Sequence, residues 1–263
     1  MKLGMSSASF YGRLETEEAA EYLLSFPIET CEIFLETFSE YTAAFGSCVR
    51  ERLGHLPCAS VHPKGTQFEG DLFAASARQR QDALHLFDGV CAAGEALGAS
   101  YYVFHGPGMI RRRITPAQIQ RLKPVMHDMQ QCAEDHGMEV LWENVSWCAA
   151  SLPEHIREIR DLLPDMHFVL DTKQAFQSGT DPYAMLDAMG DALRHVHVLD
   201  YAPTGELFLP GRGIVDWRAL MCTLEKRGYQ GAVILEPYSA MTTDETRVHE
   251  SLRILRDAME NRT

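Results

Sequence analysis

Apolar positions in this chain come in short runs separated by longer stretches of mixed character, and the two alternate from one end to the other. The short runs are rich in β-branched and aromatic residues and predict strands at 3–9, 30–36, 58–62, 101–105, 139–143, 167–171, 195–200 and 232–236. The stretches between them predict helices near 15–25, 40–55, 74–97, 116–136, 153–163, 181–189, 216–227 and 243–260. Several helices carry their own punctuation. Thr16 precedes a Glu-rich first turn, and Thr115-Pro116 and Asp181-Pro182 each offer an N-cap followed by proline at the first helical position. Gly98, Gly137 and Gly228 stand just past helix ends, where a left-handed residue is wanted.

Strands alternating with helices of this length imply parallel pairing through right-handed crossovers. Eight such units with no spare segment point to an α/β fold of the (β/α)8, or TIM-barrel, type. An open doubly wound sheet is the alternative, but no GxGxxG follows the first strand. The 263 residues suit a single domain over 1–263, since no linker or low-complexity tract interrupts them.

A barrel strand is buried on both faces and should be nearly all apolar. These strands obey until their last residues, where they stop on ionisable groups: Glu32 to Glu36, His62, His105, Glu143, Asp171, His195 to His197, and Glu236. One such ending is explained by a strand leaving the core, or by an acidic cap for the next helix. Closure changes the picture, because it brings all these ends to one rim. Strands five to eight would then deliver Glu143, Asp171, His197 and Glu236 to one spot. Three carboxylates there repel one another unless a cation joins them. Three carboxylates and one imidazole favour one divalent metal ion of hard or borderline character: Mn, Mg, Co or Zn.

The formal net charge of -13 disfavours binding to phosphate backbones, so no nucleic-acid partner is expected. The run Arg111-Arg112-Arg113 is a mouth-side feature that fits either a sugar phosphate or a solvated charge cluster. No apolar run reaches the about 18 residues of a membrane span. The first ten residues lack signal-peptide order, and the seven scattered cysteines read as reduced thiols, so a cytoplasmic location is expected. The oligomeric state, homo-oligomer or monomer, stays open.

At Trp142-Glu143-Asn144, Leu170-Asp171-Thr172, His195-Val196-His197-Val198-Leu199-Asp200, Pro210-Gly211-Arg212-Gly213 and Leu235-Glu236-Pro237 the chain resembles the xylose isomerase-like TIM barrel superfamily. That group includes sugar phosphate isomerases/epimerases, ketose 3-epimerases and apurinic endonucleases. The resemblance spans the whole chain. It implies a metal held by Glu143, Asp171, His197 and Glu236, with a carbohydrate or sugar phosphate as the bound small molecule. It further implies that Glu143 and Glu236 are the catalytic pair, one removing a proton and the other returning it through an enediolate. His62 and His105 match positions that bind further zinc in the endonucleases or touch substrate in the sugar enzymes. Lys173, Gln174, Arg212 and Trp142 complete the implied substrate contacts.

Four departures separate the chain from its relatives, and one is that the late Gly-Glu-Gly of the endonucleases has become Gly211-Arg212-Gly213. Gln174 replaces a histidine found three residues after the strand-six aspartate, in endonucleases and ketose 3-epimerases alike. The endonucleases' Asp-x-His pair is missing from Gly205-Glu206-Leu207-Phe208-Leu209, so their three-zinc centre cannot be assembled. Pro203 stands where ketose 3-epimerases have an arginine. A metal-dependent isomerase or epimerase is the leading expectation. A dehydratase or lyase on a polyol or keto-acid, with His62, His105 or Lys173 as the acid, is the alternative, followed by a non-catalytic sugar-binding barrel. The 63–71 loop has the length of a lid, and Phe10, Tyr11, Trp142, Trp147, Phe176 and Tyr201 are candidate pocket walls.

Overall fold

The computed structural model of the protein describes residues 1–108 and 116–260, with residues 116–121 described by backbone alone. Arg111, Arg112, Arg113 and Thr115 lie outside the described residues.

Eight parallel strands form a closed barrel: β1 (Lys2–Ser6), β2 (Thr30–Leu35), β3 (Cys58–Pro63), β4 (Tyr101–Phe104), β5 (Glu139–Glu143), β6 (His167–Asp171), β7 (Leu193–Val198) and β8 (Ala232–Leu235). Each pairs with its sequence neighbour, and β1 closes on β8 with Leu3 opposite Val233 and Met5 opposite Leu235. The helices are α1 (Thr16–Leu23), α2 (Ala43–Leu53), α3 (Ala77–Leu97), α4 (Pro116–Asp135), α5 (Pro153–Leu162), α6 (Thr172–Gln177), α7 (Pro182–Met189), α8 (Trp217–Lys226) and α9 (Glu245–Glu260). The expected (β/α)8 architecture is therefore the one observed.

Strand ends differ from expectation for local reasons. β1 stops at Ser6, because the Ser6 hydroxyl accepts from the Ala8 N–H and starts a short 3-10 turn. β4 stops at Phe104 just ahead of Gly106, whose φ of +84° turns the chain out of the sheet. A Cβ at Gly106 would also lie 2.3 Å from the indole Nε1 of Trp142. Glu15, not Thr16, caps α1, while Thr16 turns its hydroxyl to Glu40. Asp181 does cap α7, accepting from Tyr183, and Gly98, Gly137 and Gly228 all have positive φ. The short α6 was not expected, nor was the antiparallel ribbon of Asp200–Tyr201 with Leu207–Phe208.

The strands' period of two sorts their side chains into two environments. Cys31, Ile33, Val61, Tyr102, Phe104, Val140, Trp142, Phe168, Leu170, Val196 and Val233 face the helices and join the main core. Val103, Leu141 and Val169 form a separate apolar cluster with Tyr101. Above it on the same strands stand His105, Glu143 and Asp171, in phase by two residues. Phe10, expected as a pocket wall, is wholly buried in the main core against Tyr22 and Phe26.

Candidate active site

The deeper tier of the barrel interior is built around Glu32. Its Oε2 accepts from Ser60 Oγ at 2.7 Å and meets His197 Nε2 at 3.0 Å and His195 Nε2 at 3.4 Å. His62 Nδ1 lies 3.5 Å from its other oxygen. Burial alone would push the Glu32 carboxyl up. The charge of His197 and the hydrogen bonds from His195, His197 and His62 outweigh it and hold the group well below the usual carboxylate range. Glu32 was noted in the sequence as part of a strand ending, without a site role. The available signal was an acidic residue in mid-strand, flanked by Cys31 and Ile33, where both faces should be apolar.

The upper tier is the mouth. Glu143, Asp171, His197 and Glu236 each offer an atom such that all four lie within 4.8 Å of one another. His197 Nδ1 is 3.3 Å from Glu143 Oε1 and 3.5 Å from Glu236 Oε2. Its Nε2 being committed to Glu32, the imidazole presents Nδ1 to the carboxylates. Two buried carboxylate oxygens here, Glu143 Oε2 and Asp171 Oδ2, are met only at ion-pair distance, by His105 Nε2 and by Lys173 Nζ, each at 3.3 Å. Lys173 reaches both acids of the far wall, 3.2 Å from Glu236 Oε2 and 3.3 Å from Asp171 Oδ2.

The titration of the group follows. Burial and the charges of Glu143 and Glu236 push Asp171 up to about 7 despite Lys173 beside it. Burial opposes ionisation of Glu143 and Glu236 as well. The histidines around Glu143, and Lys173 with His197 and His62 around Glu236, override it and keep both carboxyls depressed. His62 is disfavoured as a cation by burial, yet Glu236 and Glu32 raise it to about 10. His197 is likewise raised well above the ordinary imidazole value, by Glu32 and Glu236 against the effect of burial. Three buried carboxylates and an imidazole converging on one point form a donor set that suits a hard or borderline divalent ion. The residues present fit the metal.

Over this floor lies a cavity of about 220 Å³ lined by Ala8, Tyr11, Phe34, His62, His105, Glu143, Lys173, Gln174, Glu236, Pro237 and Tyr238. Of the expected substrate contacts, His62, His105, Lys173 and Gln174 are therefore on its wall. His62 and His105 are hydrogen-bonded to each other, Nε2 to Nε2 at 2.7 Å. Gln174 caps the neighbouring loop, its Oε1 accepting from the Ser146 N–H at 3.0 Å. Trp142 and Arg212 are not on the wall. Trp142 is buried behind the strand with its indole N–H donating to the His105 carbonyl. Arg212 is exposed on a loop held by Asp200, which accepts from the Gly211 and Gly213 N–H groups. The Pro-Gly-Arg-Gly segment thus owes its shape to Asp200.

Tyr238 and Phe34 line the cavity without having been foreseen, and Tyr11 does so as expected. Trp147 stands half-exposed beside His105, and Phe176 stacks on Tyr201 at 3.9 Å. The 63–71 segment is not a free lid. Its Phe68 and Glu69 are buried, and Glu69 accepts from the Tyr102 hydroxyl and the His105 N–H. A larger groove, of about 620 Å³, lies outside the barrel along α4, α5 and the start of β6. Volume alone would select it, but the buried ionised groups converge at the mouth.

Among the described residues no helix is long and apolar enough to cross a membrane. A sequence relative, fructoselysine 3-epimerase of Escherichia coli O157:H7, is 20% identical and matches 69% of this chain and 68% of its own. A D-tagatose 3-epimerase-like protein of known structure superposes with a TM-score of 0.80 at 19% identity, covering 100% of this chain and 98% of its own. The IOLI protein, solved with a binding zinc atom, gives 0.74 at 17% identity, covering 100% and 99%. The family model described as xylose isomerase-like TIM barrel matches residues 21–258. The closed barrel and this match together make the chain a member of the xylose isomerase-like TIM barrel family.

Proposed function

We propose that this protein is a divalent-metal-dependent isomerase or epimerase of a small sugar or sugar phosphate, moving a proton at a carbon next to a carbonyl. The observation that carries the reading is a pair of buried carboxylates, Glu143 and Glu236, kept ionised on the wall of one small cavity. A pocket built only to bind neutral hydroxyls has no need to bury two such groups. The relatives described as 3-epimerases support it.

A divalent ion held by Glu143, Asp171, His197 and Glu236 would supply Lewis-acid polarisation of the substrate carbonyl. The remaining work belongs to the chain. One of Glu143 and Glu236 accepts the proton from the carbon; the other delivers one, to the opposite face or the adjacent carbon. Lys173, fixed between Asp171 and Glu236, balances charge beside the Glu236 carboxylate. His62 and His105 offer their linked imidazoles to substrate hydroxyls from the opposite wall. Tyr11 and Tyr238 give the mouth its aromatic rim. The cavity of about 220 Å³ suits a small metabolite and not a drug-sized ligand, which needs upward of about 300 Å³.

The test is a panel of ketoses, aldoses and their phosphates, incubated in deuterated water with Mn, Co, Zn or Mg. Deuterium at the exchanging carbon with an isomeric product supports the reading, and Glu143→Gln and Glu236→Gln should each cut the rate at least about 100-fold. A product lighter by one water moves the assignment to a dehydratase. Metal uptake without turnover of any panel member would leave a sugar-binding barrel as the better description.

A further inference from the structure

A second group of metal-ligating side chains sits on the outside of the barrel, where α3 meets α4. Both helices run into the start of the following strand, so their C-terminal turns lie at the end opposite the mouth. Asp88, Cys91 and Glu95 share one face of α3 at spacings of three and four. Cys132 on α4 and His136 just beyond its end are four apart and turn toward them. Asp88 Oδ1 is the meeting point, 3.1 Å from His136 Nε2 and 3.5 Å from Cys132 Sγ. Candidate ligand atoms of Asp88, Cys132 and His136 lie within 4.8 Å of one another.

An ion pair between His136 and two surface carboxylates would explain part of this arrangement and would contribute little. It does not explain the sulfurs. Cys132 points at the same carboxylate oxygen as the imidazole, and the fully buried Cys91 lies beneath with its thiol directed to Cys132. Nor does it explain the order of contacts on the ring. His136 Nδ1 is held by Glu95 at 2.8 Å, leaving Nε2 to face Asp88 and Cys132. A carboxylate on one ring nitrogen, with the other aimed at thiol and carboxylate ligands, is the usual support of a metal-bound histidine.

We propose that Asp88, Cys132 and His136, with Cys91 in reserve as a fourth donor and Glu95 orienting the imidazole, form a second metal site that clamps α3 to α4. Sulfur, imidazole and carboxylate together select a borderline ion of the zinc class over magnesium or calcium. The separations of Asp88 Oδ1 from His136 Nε2, 3.1 Å, and from Cys132 Sγ, 3.5 Å, match those of neighbouring ligands around a tetrahedral zinc ion. Binding replaces the Cys132 thiol proton, and the proton on His136 Nε2, with the cation.

Cobalt distinguishes this site from the mouth, whose ligands are all oxygen and nitrogen. Fully reduced protein is titrated with Co(II) and followed for the near-ultraviolet thiolate-to-cobalt absorption. The expected result is that absorption in the wild type and in Asp171→Asn, and its loss in Cys132→Ser, which still takes up metal at the mouth. Glu95→Gln should weaken the cobalt uptake reported by this absorption about 10- to 100-fold. Wild type showing no such absorption with cobalt in excess overturns the proposal, as does an undiminished absorption in Cys132→Ser. Neither result bears on catalysis at the mouth.

Discussion

Glu32 and His197 come from opposite ends of the chain, 165 residues apart, and meet at 3.0 Å inside the barrel. Glu32 does not itself line the cavity; it meets the wall residue His62 at 3.5 Å and holds His197, whose ring it orients so that Nδ1 faces the carboxylates. Replacing it with glutamine should lower metal affinity at the mouth about 10- to 100-fold while leaving the barrel folded, as read by calorimetric titration and circular dichroism. Unchanged affinity would reduce Glu32 to a packing element. The same geometry sets a proton count. His197 is raised well above its ordinary value and Asp171 to about 7, so both carry protons near neutrality that a metal must displace. Titrations at pH 7 in buffers of different ionisation enthalpy should therefore show release of at least about one proton per ion. At this scale the sequence was legible where a strand ended on an acid. It was illegible where the informative contact lay across the barrel: His195 supports Glu32, a role no spacing announces.

Elements carry the site through their ends. Asp171 closes β6 and caps α6, its Oδ1 accepting from the Gln174 N–H while Oδ2 faces the mouth beside Lys173. The two readings of such a residue, cap and ligand, use different oxygens and coexist. Asp200 plays the purely structural part, accepting from the N–H groups of Tyr201, Gly211, Gly213 and Val215 and from the indole of Trp217. Asp200→Ala strands these donors and should lower unfolding free energy by at least about 2 kcal/mol in urea titrations. Gly106→Ala should cost at least about 1 kcal/mol by the same measure, because the backbone is left-handed there and the new Cβ meets Trp142. The helices and strands were predicted to within about three residues at each end. The ribbon after β7 and α6 were missed because both are short and are held by side chains of Asp200 and Asp171, not by any periodic pattern.

Over the whole molecule, the barrel encloses Glu32, Glu143, Asp171 and Glu236 against Lys173 and the histidines. The balance is pH-dependent. His62 is raised from 6.5 to about 10, so its contribution is fully present below pH 6.5 and is lost as pH rises through 10. Asp171, raised from 3.8 to about 7, changes in the same direction but earlier, its contribution being lost as pH rises from 3.8 through 7 and leaving the higher window to His62. The Tm of metal-free protein should therefore fall between pH 6.5 and 10, and metal should flatten the fall by replacing proton charge with its own. A Tm constant over that window in metal-free protein would contradict the buried network described here. The sequence by itself determined the alternation of strand and helix, the single barrel and the acids at strand ends, because periodicity and burial act locally along the chain. Only the tertiary structure decided which of those groups meet, that Trp142 and Arg212 stand away from the cavity, and that His197 turns Nδ1 inward. Those depend on barrel closure and stagger, which set one strand's height against another and are written in no single segment.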